Sequence, residues 1–450
     1  MKTSYNRIFS ALALGMALTS AVPSMAQTDK DSVYIYYKDG ATIDKYACTE
    51  IVKIAHDTNQ TSVYTDLLGG DIPLTETRNS EIAKVEFRFA GDDRLTVDIS
   101  GVELADPDAS DATKILYAYM KYYYGKRIVT STVAKVNWNT TGAENVKKLT
   151  GTYPAISCFD YIHIPFDGNW INYSDIKPVT DWADKGGVVS LMWHFNVPAS
   201  EADYNSGNLD NITCSPDKTT WNMDNIWQEG TWENKWFWSQ MDKVATNILK
   251  LQDAGVVALW RPFHEASGNM LNNQGWTPAA WFWWGSKGGE TYKRLWTTMK
   301  DYFASRGIHN LIWTWTGTAR TSTNDSDESY YPGDENVDIV GADCYGSTAD
   351  ELKAQFDGLT ALYPSKMITL AECGNLTTDN GSSTTITKRM PTISEMWAAG
   401  AKFLYFMPWY DYYYEDGKAS DSNMFPADYW RDAMQTGSVT MANWGKIVDK

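Results

Sequence analysis

Between residues 111 and 450, eight short apolar segments alternate with stretches of helical periodicity, and this alternation constrains the fold more than any other feature. We interpret the segments as buried strands: RIVTSTV (127–133), AISCFDYI (155–162), GVVSLMWHF (187–195), GVVALWRPF (255–263), NLIWTWT (310–316), DIVGADCY (338–345), MITLAEC (367–373) and KFLYFMPW (402–409). Short apolar runs bounded by turn residues are typical of strands buried on both faces. Eight strand–helix units over roughly 340 residues predict an α/β fold, the (β/α)8 TIM barrel.

Amphipathic helices are predicted between several of these strands, over 241–254, 290–306 and 350–363. Two of the predicted apolar faces are Met241, Val244, Ile248 and Leu251, and Leu352, Phe356, Leu359 and Leu362. Residues three and four positions apart lie on one side of a helix, so each set is expected to pack against the barrel.

Residues 27–105 have a different pattern and are predicted to form a small β-rich module. VYIYYKDG (33–40) alternates in polarity and ends in Asp-Gly, which is a hairpin signal. The segments over 33–56 and 63–87 resemble each other loosely, which suggests a duplicated unit. LADPDASD (104–111) is predicted to link this module to the barrel.

The first 26 residues are predicted to be a secretory signal peptide. A basic start (Lys2, Arg7) precedes an apolar run over 8–21, and small residues end the segment at Ala26. We expect cleavage after Ala26 and a secreted or periplasmic mature protein. No further apolar run approaches the ~18 residues of a spanning helix, so no transmembrane segment is predicted.

The charge of the chain argues against several classes of partner. The formal net charge is −17, and loss of Lys2 and Arg7 with the signal peptide lowers it to −19. Such a chain repels nucleic acid and anionic membrane surfaces and suits a neutral substrate. We expect a monomer.

Neither a metal nor a cofactor is expected. Five scattered cysteines form no CxxC pair, and no HExxH motif occurs. The acidic run over 324–338 lacks the ligand spacing of a calcium loop.

The chain is rich in aromatic residues, with 21 Trp and 27 Tyr. Many lie in segments expected to be loops, such as 219–238, 276–285 and 406–416. Indole and phenol rings stack on the apolar face of a sugar, although the same rings also fill large cores. Their clustering beyond strand ends favours sugar binding over core filling.

Polar and aromatic residues occupy the carboxyl ends of six predicted strands, where a TIM barrel places its active site. They are Trp193 and His194 on the third strand, His264 and Glu265 on the fourth, Trp313 and Trp315 on the fifth, Asp343 and Tyr345 on the sixth, Glu372 on the seventh and Trp409 on the eighth. A single polar residue at a strand end is often a cap or a turn former. Six such strand ends on one rim favour a functional site.

Glu265 and Glu372 are the only glutamates immediately at these strand ends, on strands 4 and 7, which we expect on opposite sides of the barrel. Two carboxylates that face each other among aromatic rings suit glycoside hydrolysis, in which one carboxyl protonates the leaving oxygen and the other attacks the anomeric carbon or activates water. Close carboxylates cannot both ionise easily, so one of them remains protonated. Tyr345 is a possible hydrogen-bond donor to Glu372.

Four motifs resemble those of glycoside hydrolase family 26, whose best-known members are β-mannanases. They are GGVVSLMWHFNVP (186–198), RPFHE (261–265) followed by WFWWG (281–285), YPGDENVDIVGADCY (331–345) and LAECG (370–374). The resemblance spans about 111–445 and implies a TIM barrel, a retaining mechanism and a mannan-type polysaccharide or oligosaccharide as substrate.

The resemblance also implies roles for individual residues. Glu265 would be the acid/base and Glu372 the nucleophile. The sugar would be held by His194, His264, Trp281, Tyr345 and Trp409, with Asp343 in support, and we add Trp193 and Arg261 at the same strand ends.

This chain departs from the family pattern in the loop over 266–280, which is longer than the compact form of the motif. The loop is expected to cover the leaving-group side of the cleft, and it makes Trp276 an alternative to Trp281.

Other functions remain open at this stage. A family member can act on xylan or mixed-linkage β-glucan in place of mannan, and its mode can be endo or exo. A barrel that binds glycans without cleaving them is a third possibility, although both glutamates are present.

Overall fold

The structure is a computed structural model of the 450-residue chain. It describes residues 32–39, 43–47, 51–56, 59–65, 73–88, 97–134, 138–169, 171–268, 280–318, 328–377, 386–409, 425, 427–435 and 438–444. The predicted signal peptide and residues 269–279 of the predicted loop lie outside this set. The chain divides into two compact units, residues 1–95 and 96–450.

The first unit consists of antiparallel strands. They are β1 (Ser32–Tyr37), β2 (Ile43–Ala47), β3 (Ile51–His56), β4 (Gln60–Thr65), β5 (Pro73–Arg78) and β6 (Ile82–Arg88). β1 and β2 pair as the hairpin that the alternating segment predicted. The strands form two three-stranded sheets, in the orders β2-β1-β6 and β3-β4-β5.

The two halves of this unit exchange strands. One half consists of β1 to β3 and the other of β4 to β6. In the first sheet β1 is central and β6, from the other half, lies at one edge. In the second sheet β4 is central and β3, from the other half, lies at one edge. Val33 and Ile35 of β1 and Val63 of β4 are buried at equivalent central places. This arrangement agrees with the loose sequence repeat.

The strands of the second unit are β7 (Val129–Val133), β8 (Ile156–Asp160), β9 (Val188–Trp193), β10 (Val197–Pro198), β11 (Ile212–Thr213), β12 (Ala258–Pro262), β13 (Leu311–Thr318), β14 (Ile339–Tyr345), β15 (Met367–Gly374), β16 (Leu376–Thr377), β17 (Ile386–Lys388) and β18 (Tyr405–Pro408). The eight predicted strands are β7, β8, β9, β12, β13, β14, β15 and β18. They close into a barrel in this order, each parallel to its neighbours. The predicted TIM barrel is confirmed.

Helices surround the barrel. They are α1 (Asp111–Tyr123), α2 (Thr141–Thr150), α3 (Lys177–Asp184), α4 (Glu201–Ser206), α5 (Trp232–Asp253), α6 (Gly289–Ser305), α7 (Ala349–Leu362), α8 (Ile393–Ala399), α9 (Ala427–Gln435) and α10 (Met441–Trp444). No helix in the described part of the chain combines the length and apolar character needed to cross a membrane.

The predicted helix over 241–254 is the second half of α5, and its four apolar positions are buried as expected. The prediction for α7 was wrong at one position. Leu352 is buried, but Leu362 is 49% exposed. Leu362 is the last residue of the helix, and the chain leaves the helical path there, so that the next residue, Tyr363, is buried in its place.

The segment before α1 is anchored to the barrel. The backbone N–H of Ala105 donates to Asp338 Oδ1 (2.6 Å), and His309 Nδ1 lies 2.9 Å from Asp106 Oδ2. Asp106, Asp108 and His309 bring three potential metal ligands within 4.8 Å of one another. The second oxygen of Asp106 accepts from the backbone N–H of Asp108, so both of its oxygens are used without an ion.

Candidate active site

A sharp turn follows β12 and carries the first predicted catalytic residue. Phe263 and Glu265 have φ of 49° and 51°, and they are the only non-glycine residues with positive φ in the part of the chain that the structure describes. Left-handed backbone is unfavourable for residues with a Cβ and persists where the surroundings enforce it. The strain therefore marks residues 263–265 as a segment held in place by its neighbours.

Hydrogen bonds fix the turn from several sides. Tyr292 Oη donates to the carbonyl of Phe263 (3.0 Å), and Trp284 Nε1 donates to the carbonyl of His264 (2.7 Å). The backbone N–H of Glu265 donates to the carbonyl of Thr316 on β13 (3.1 Å). The WFWWG motif thus contributes a support of the turn as well as aromatic surface.

The second predicted catalytic residue, Glu372, is aimed inward by a bulge. The pairing of β14 with β15 shifts after Ala342, so Asp343 lies opposite Glu372. Paired residues on neighbouring strands point to the same face, and a bulge re-aims the side chains that follow it. Both carboxylates consequently reach the same cation inside the barrel.

That cation is Arg261, whose side chain is 2% exposed. Its Nη1 donates to Glu372 Oε1 (2.7 Å), its Nη2 contacts Asp343 Oδ2, and its Nε donates to Thr316 Oγ1 (2.9 Å). Burial disfavours its charge, but Asp343 and Glu372 outweigh burial, and the pKa of Arg261 is raised. We predicted a sugar-binding role for Arg261, but its described contacts position the carboxylates.

Asp343 shares the arginine with Glu372. Burial raises the pKa of Asp343 well above its usual value; the charge of Arg261 opposes this shift and that of Glu372 adds to it. One arginine thus serves two buried carboxylates.

Tyr345 connects the two predicted catalytic residues. Its Oη donates to Glu372 Oε2 (2.7 Å), as expected from the sequence. The pKa of Tyr345 is raised well above its usual value by burial, then by the charges of Glu372 and Glu265. The Tyr345 phenol therefore contacts Glu372 directly and lies within electrostatic range of Glu265.

The strand positions correct one expectation. β12 and β15 are not on opposite sides of the barrel, because only β13 and β14 separate them. Glu265 belongs to the turn beyond β12, whereas Glu372 lies within β15.

Two histidines lie beside Glu372. The Nε2 atoms of His194 and His264 are 3.1 Å apart, and His264 Nε2 is 3.8 Å from Glu372 Oε1. Burial lowers the pKa of His264 well below its usual value, and the neighbouring Arg261 and His194 lower it further. His264 is therefore neutral near pH 7, and one proton lies between the two rings.

Asp160, at the end of β8, was not among the predicted site residues. Its Oδ2 lies 2.6 Å from His194 Nδ1, and its Oδ1 accepts from the backbone N–H of His194 (3.1 Å). A carboxylate at this distance assigns a proton to Nδ1 and so leaves Nε2 of His194 as an acceptor. An acidic residue at or near the carboxyl end of a buried strand was the available signal, since Asp160 ends β8 and Glu372 lies two residues before the end of β15.

Aromatic rings border these groups. The rings of Phe282 and Trp409 lie 5.8 Å and 5.7 Å from that of His194. Trp281 is 38% exposed, and its indole lies so close to Gly268 that a Cβ there would be 2.5 Å from the ring. Trp281 and Trp409 thus offer partly exposed rings. Trp276, the alternative to Trp281, lies outside the described residues.

Trp193 lies in the hydrophobic core and not in the candidate site. Its indole is 1% exposed and stacks on Phe195 with 3.9 Å between ring centroids. Alternate residues of a strand point to opposite faces, so Trp193 enters the core while His194 enters the site. The expectation that Trp193 contacts a sugar does not fit this arrangement.

The fifth strand shows the same alternation. Trp313 and Trp315 pack outward against helix and loop aromatics, with Trp296 5.7 Å from Trp313 and Tyr331 5.2 Å from Trp315. Thr316 points inward to Arg261. The sequence drew attention to the tryptophans, whereas the threonine contacts the site.

Comparisons with known proteins identify the family. A family model described as "Glycosyl hydrolase family 26" matches residues 105–430. The mannan endo-1,4-beta-mannosidase of Thermothelomyces thermophilus is 28% identical over 351 residues, which are 74% of this chain and 62% of that protein. The chain spans 62%, 48% and 42% of the lengths of three such relatives, or about half.

Solved structures of similar proteins support the same family. The family 26 domain of a Prevotella bryantii endo-beta-mannanase/endo-beta-glucanase is 45% identical and covers 76% of this chain and 99% of its own, with a TM-score of 0.69. A beta-mannanase from a symbiotic protist of the termite Reticulitermes speratus, solved with a gluco-manno-oligosaccharide, is 26% identical over 77% of this chain and 98% of its own, with a TM-score of 0.58. Because the matched segment contains the whole barrel and both glutamates, this chain belongs to glycosyl hydrolase family 26.

Proposed function

We propose that the chain is a retaining endo-β-1,4-mannanase, with Glu265 as acid/base and Glu372 as nucleophile. The observation that carries the proposal is the surroundings of Glu372. Its two oxygens are bound separately, Oε1 by Arg261 and Oε2 by Tyr345. A cation and a phenol donor both stabilise a carboxylate, which is the form that a nucleophile requires.

The first step transfers the glycosyl group to the protein. Glu265 donates its proton to the glycosidic oxygen, while a carboxylate oxygen of Glu372 attacks the anomeric carbon and the glycosidic bond breaks. In the second step Glu265, now a carboxylate, takes a proton from water. The water oxygen attacks the anomeric carbon and releases Glu372.

The transition states of both steps carry positive charge on the sugar. The carboxylate of Glu372 provides a negative charge beside the sugar, which stabilises that positive charge. Protonation of His264 would offset this stabilisation, and its lowered pKa prevents that near neutral pH.

The proposed substrate is mannan, glucomannan or galactomannan. The names of the relatives, such as the Thermothelomyces thermophilus mannan endo-1,4-beta-mannosidase, support this choice. A β-glucan is the second candidate, because the Prevotella bryantii protein, whose family 26 domain is 45% identical, is named for both mannanase and glucanase activities. Initial rates on linear mannan, galactomannan, mixed-linkage β-glucan and xylan distinguish these substrates.

Two variants test the roles of the glutamates. Glu265→Ala and Glu372→Ala should both lose on the order of 10³-fold or more in turnover of mannan. An activated aryl glycoside leaves without a proton, so Glu265→Ala should show a burst or partial activity on it. Glu372→Ala should stay inactive, because no other group replaces the nucleophile.

Equal behaviour of the two variants on the aryl glycoside, or rescue of Glu372→Ala alone, would contradict the assigned roles. A barrel that only binds glycans predicts a different result. In that case wild type and Glu372→Ala would both bind mannan and neither would release reducing sugar.

We further propose that the chain is exported and that its first 26 residues are removed. The basic start and apolar run support this proposal. Amino-terminal sequencing of the mature protein tests it, with Gln27 as the expected first residue. An expressed protein that retains Met1 would contradict it.

A further inference from the structure

Thr316, on β13, contacts both halves of the site. Its backbone carbonyl accepts from the N–H of Glu265 (3.1 Å), and its Oγ1 accepts from Arg261 Nε (2.9 Å). Arg261 in turn holds Glu372 at 2.7 Å. One residue of a strand that lies between β12 and β15 is therefore bonded to the acid/base by its backbone and to the holder of the nucleophile by its side chain.

The surroundings of the hydroxyl make this contact specific. Thr316 is 1% exposed and Arg261 is equally buried, so water has little access to the pair. Across the pair of strands, Thr316 lies opposite Gly341. A Cβ at Gly341 would be 3.3 Å from Thr316 Oγ1 and 2.8 Å from the Cβ of Ala371, so glycine keeps the space beside the hydroxyl open.

The guanidinium of Arg261 uses three donors in three directions. Nη1 and Nη2 contact Glu372 and Asp343, and Nε contacts Thr316. Two carboxylates alone leave the planar group free to shift toward either of them. The third hydrogen bond, from the fork of the guanidinium to a rigid strand, fixes its position between them.

We propose that Thr316 is a positioning residue of the proposed glycosidase reaction, and that its hydroxyl fixes Arg261, and through it Glu372, relative to the turn that carries Glu265. The inference rests on the proposed function and concerns the same site. Thr316 acts on the nucleophile only through Arg261. Its effect therefore belongs to the chemical steps and not to sugar binding.

The test replaces the hydroxyl by a methyl group. Thr316→Val keeps the shape of the side chain and the backbone carbonyl, and leaves Arg261 Nε–H without its acceptor. We expect kcat to fall by about 10- to 100-fold, because Arg261 no longer holds Glu372 in place, with KM within about threefold of wild type. Thr316→Ser retains the hydroxyl and should recover most of the lost turnover.

The strand supplies a matched control. Thr314 lies two residues earlier on the same face, is fully buried, and its Oγ1 has no hydrogen-bond partner among the described residues. Thr314→Val makes the same chemical change without removing an acceptor from Arg261. It should keep kcat within about twofold of wild type, which separates the hydroxyl contact from a general effect on the strand.

Crystal structures of the two Thr316 variants complete the test independently of any substrate. Arg261 should leave its place beside Glu372 in Thr316→Val and keep it in Thr316→Ser. The proposal is overturned if Arg261 stays in place in Thr316→Val, if Thr316→Val turns over like Thr316→Ser, or if its loss appears only in KM. Failure of wild type on every glycan tested overturns the proposed function, whereas the crystal structures still decide the role of Thr316.

Discussion

At the scale of single residues, the site depends on side chains that support the predicted catalytic and binding residues. Asp160 is an example: it holds His194, which shares a proton with His264 beside Glu372. The chain of contacts begins on β8 and ends on β15. A change at Asp160 is therefore expected to act on catalysis through the two histidines.

Asp160→Asn tests this chain of contacts. The amide of asparagine can donate to His194 Nδ1, which moves the imidazole proton to Nε2 and forces the neighbouring His264 Nε2 to accept. We expect kcat/KM to fall on the order of 10-fold or more and its pH profile to change shape. The measurement is kcat/KM for mannan between pH 4 and pH 9.

Asp167→Asn is the control for this variant. Asp167 follows the same strand and accepts from the backbone N–H of Tyr173 (2.7 Å), so the variant also removes a carboxylate that caps a backbone group. It should keep the wild-type profile. If the profiles of the two variants coincide, the Asp160 carboxylate serves only the local backbone.

At the scale of elements, the turn after β12 depends on one glycine. A Cβ at Gly285 would lie 1.7 Å from the carbonyl oxygen of Ala266, the residue after Glu265. No side-chain rotation relieves a clash with backbone. The short 3-10 helix Trp283–Gly285 can therefore approach the turn only with glycine at this position.

Gly285→Ala should displace the turn and Glu265 with it. We expect kcat/KM to fall by at least about tenfold, and the melting temperature to fall by several degrees. Gly358→Ala is the contrasting variant, because Gly358 lies exposed in α7 and a Cβ added there would meet no other atom within 4 Å. Alanine at that position should raise the melting temperature or leave it unchanged. Wild-type activity in Gly285→Ala would show that the turn tolerates displacement.

The elements themselves were predictable because each barrel strand is buried on both faces and reads as a short apolar run. Each of the eight predicted segments overlaps one barrel strand. The tryptophans were less well interpreted. Trp283 and Trp284 are 1% and 0% exposed, and the Trp221, Trp227 and Trp238 rings pack against the core. A sequence does not show whether a loop folds back onto the barrel, so rings in loops could not be divided between core and cleft.

The site was predictable at its strand ends and not in its contacts. Glu265, Glu372 and Tyr345 were found because each is a polar residue at or near the carboxyl end of a buried strand. The contacts of Arg261 with Asp343 and Thr316 depend on which residues face inward. For Glu372 this is decided by the register shift between Ala342 and Asp343 in the pairing of β14 with β15. One residue of register reverses every side chain of a strand, and the sequence alone does not reveal such a bulge.

At the scale of the whole molecule, the candidate-site contacts found among the described residues all come from the second unit. The first unit contains β1 to β6 and ends before residue 96. We therefore expect hydrolysis to be independent of it. A chain that begins at Thr96 should keep its kcat on soluble mannan within about twofold and retain the melting transition of the barrel. A tenfold loss of kcat with an unchanged transition would give the first unit a role in the cleft.

The segment between residue 97 and α1 is expected to stabilise the barrel, because Ala105 and Asp106 are hydrogen-bonded to it. Asp338 is buried and accepts from the backbone N–H groups of Ala105 (2.6 Å) and Trp313 (2.7 Å). Burial raises the pKa of Asp338 to about 6 from 3.8, although both hydrogen bonds oppose this shift. A chain that begins at Asp111 lacks the donor at Ala105 and should be less stable than one that begins at Thr96.

The sign of the pH dependence follows from the direction of this shift. The folded state holds the proton of Asp338 more tightly than the unfolded state, so the contribution of this group is greatest below about pH 4 and is lost as the pH rises through about 6. The hydrogen bond from Ala105 lowers the pKa of Asp338, so its removal raises that pKa further. The stabilising contribution of Asp338 then continues to fall up to a higher pH. The melting temperatures of the two truncated chains should therefore differ more at pH 8 than at pH 5. Equal differences at both pH values would mean that the segment stabilises the barrel through Asp106 and His309 or by packing, and not through the charge of Asp338.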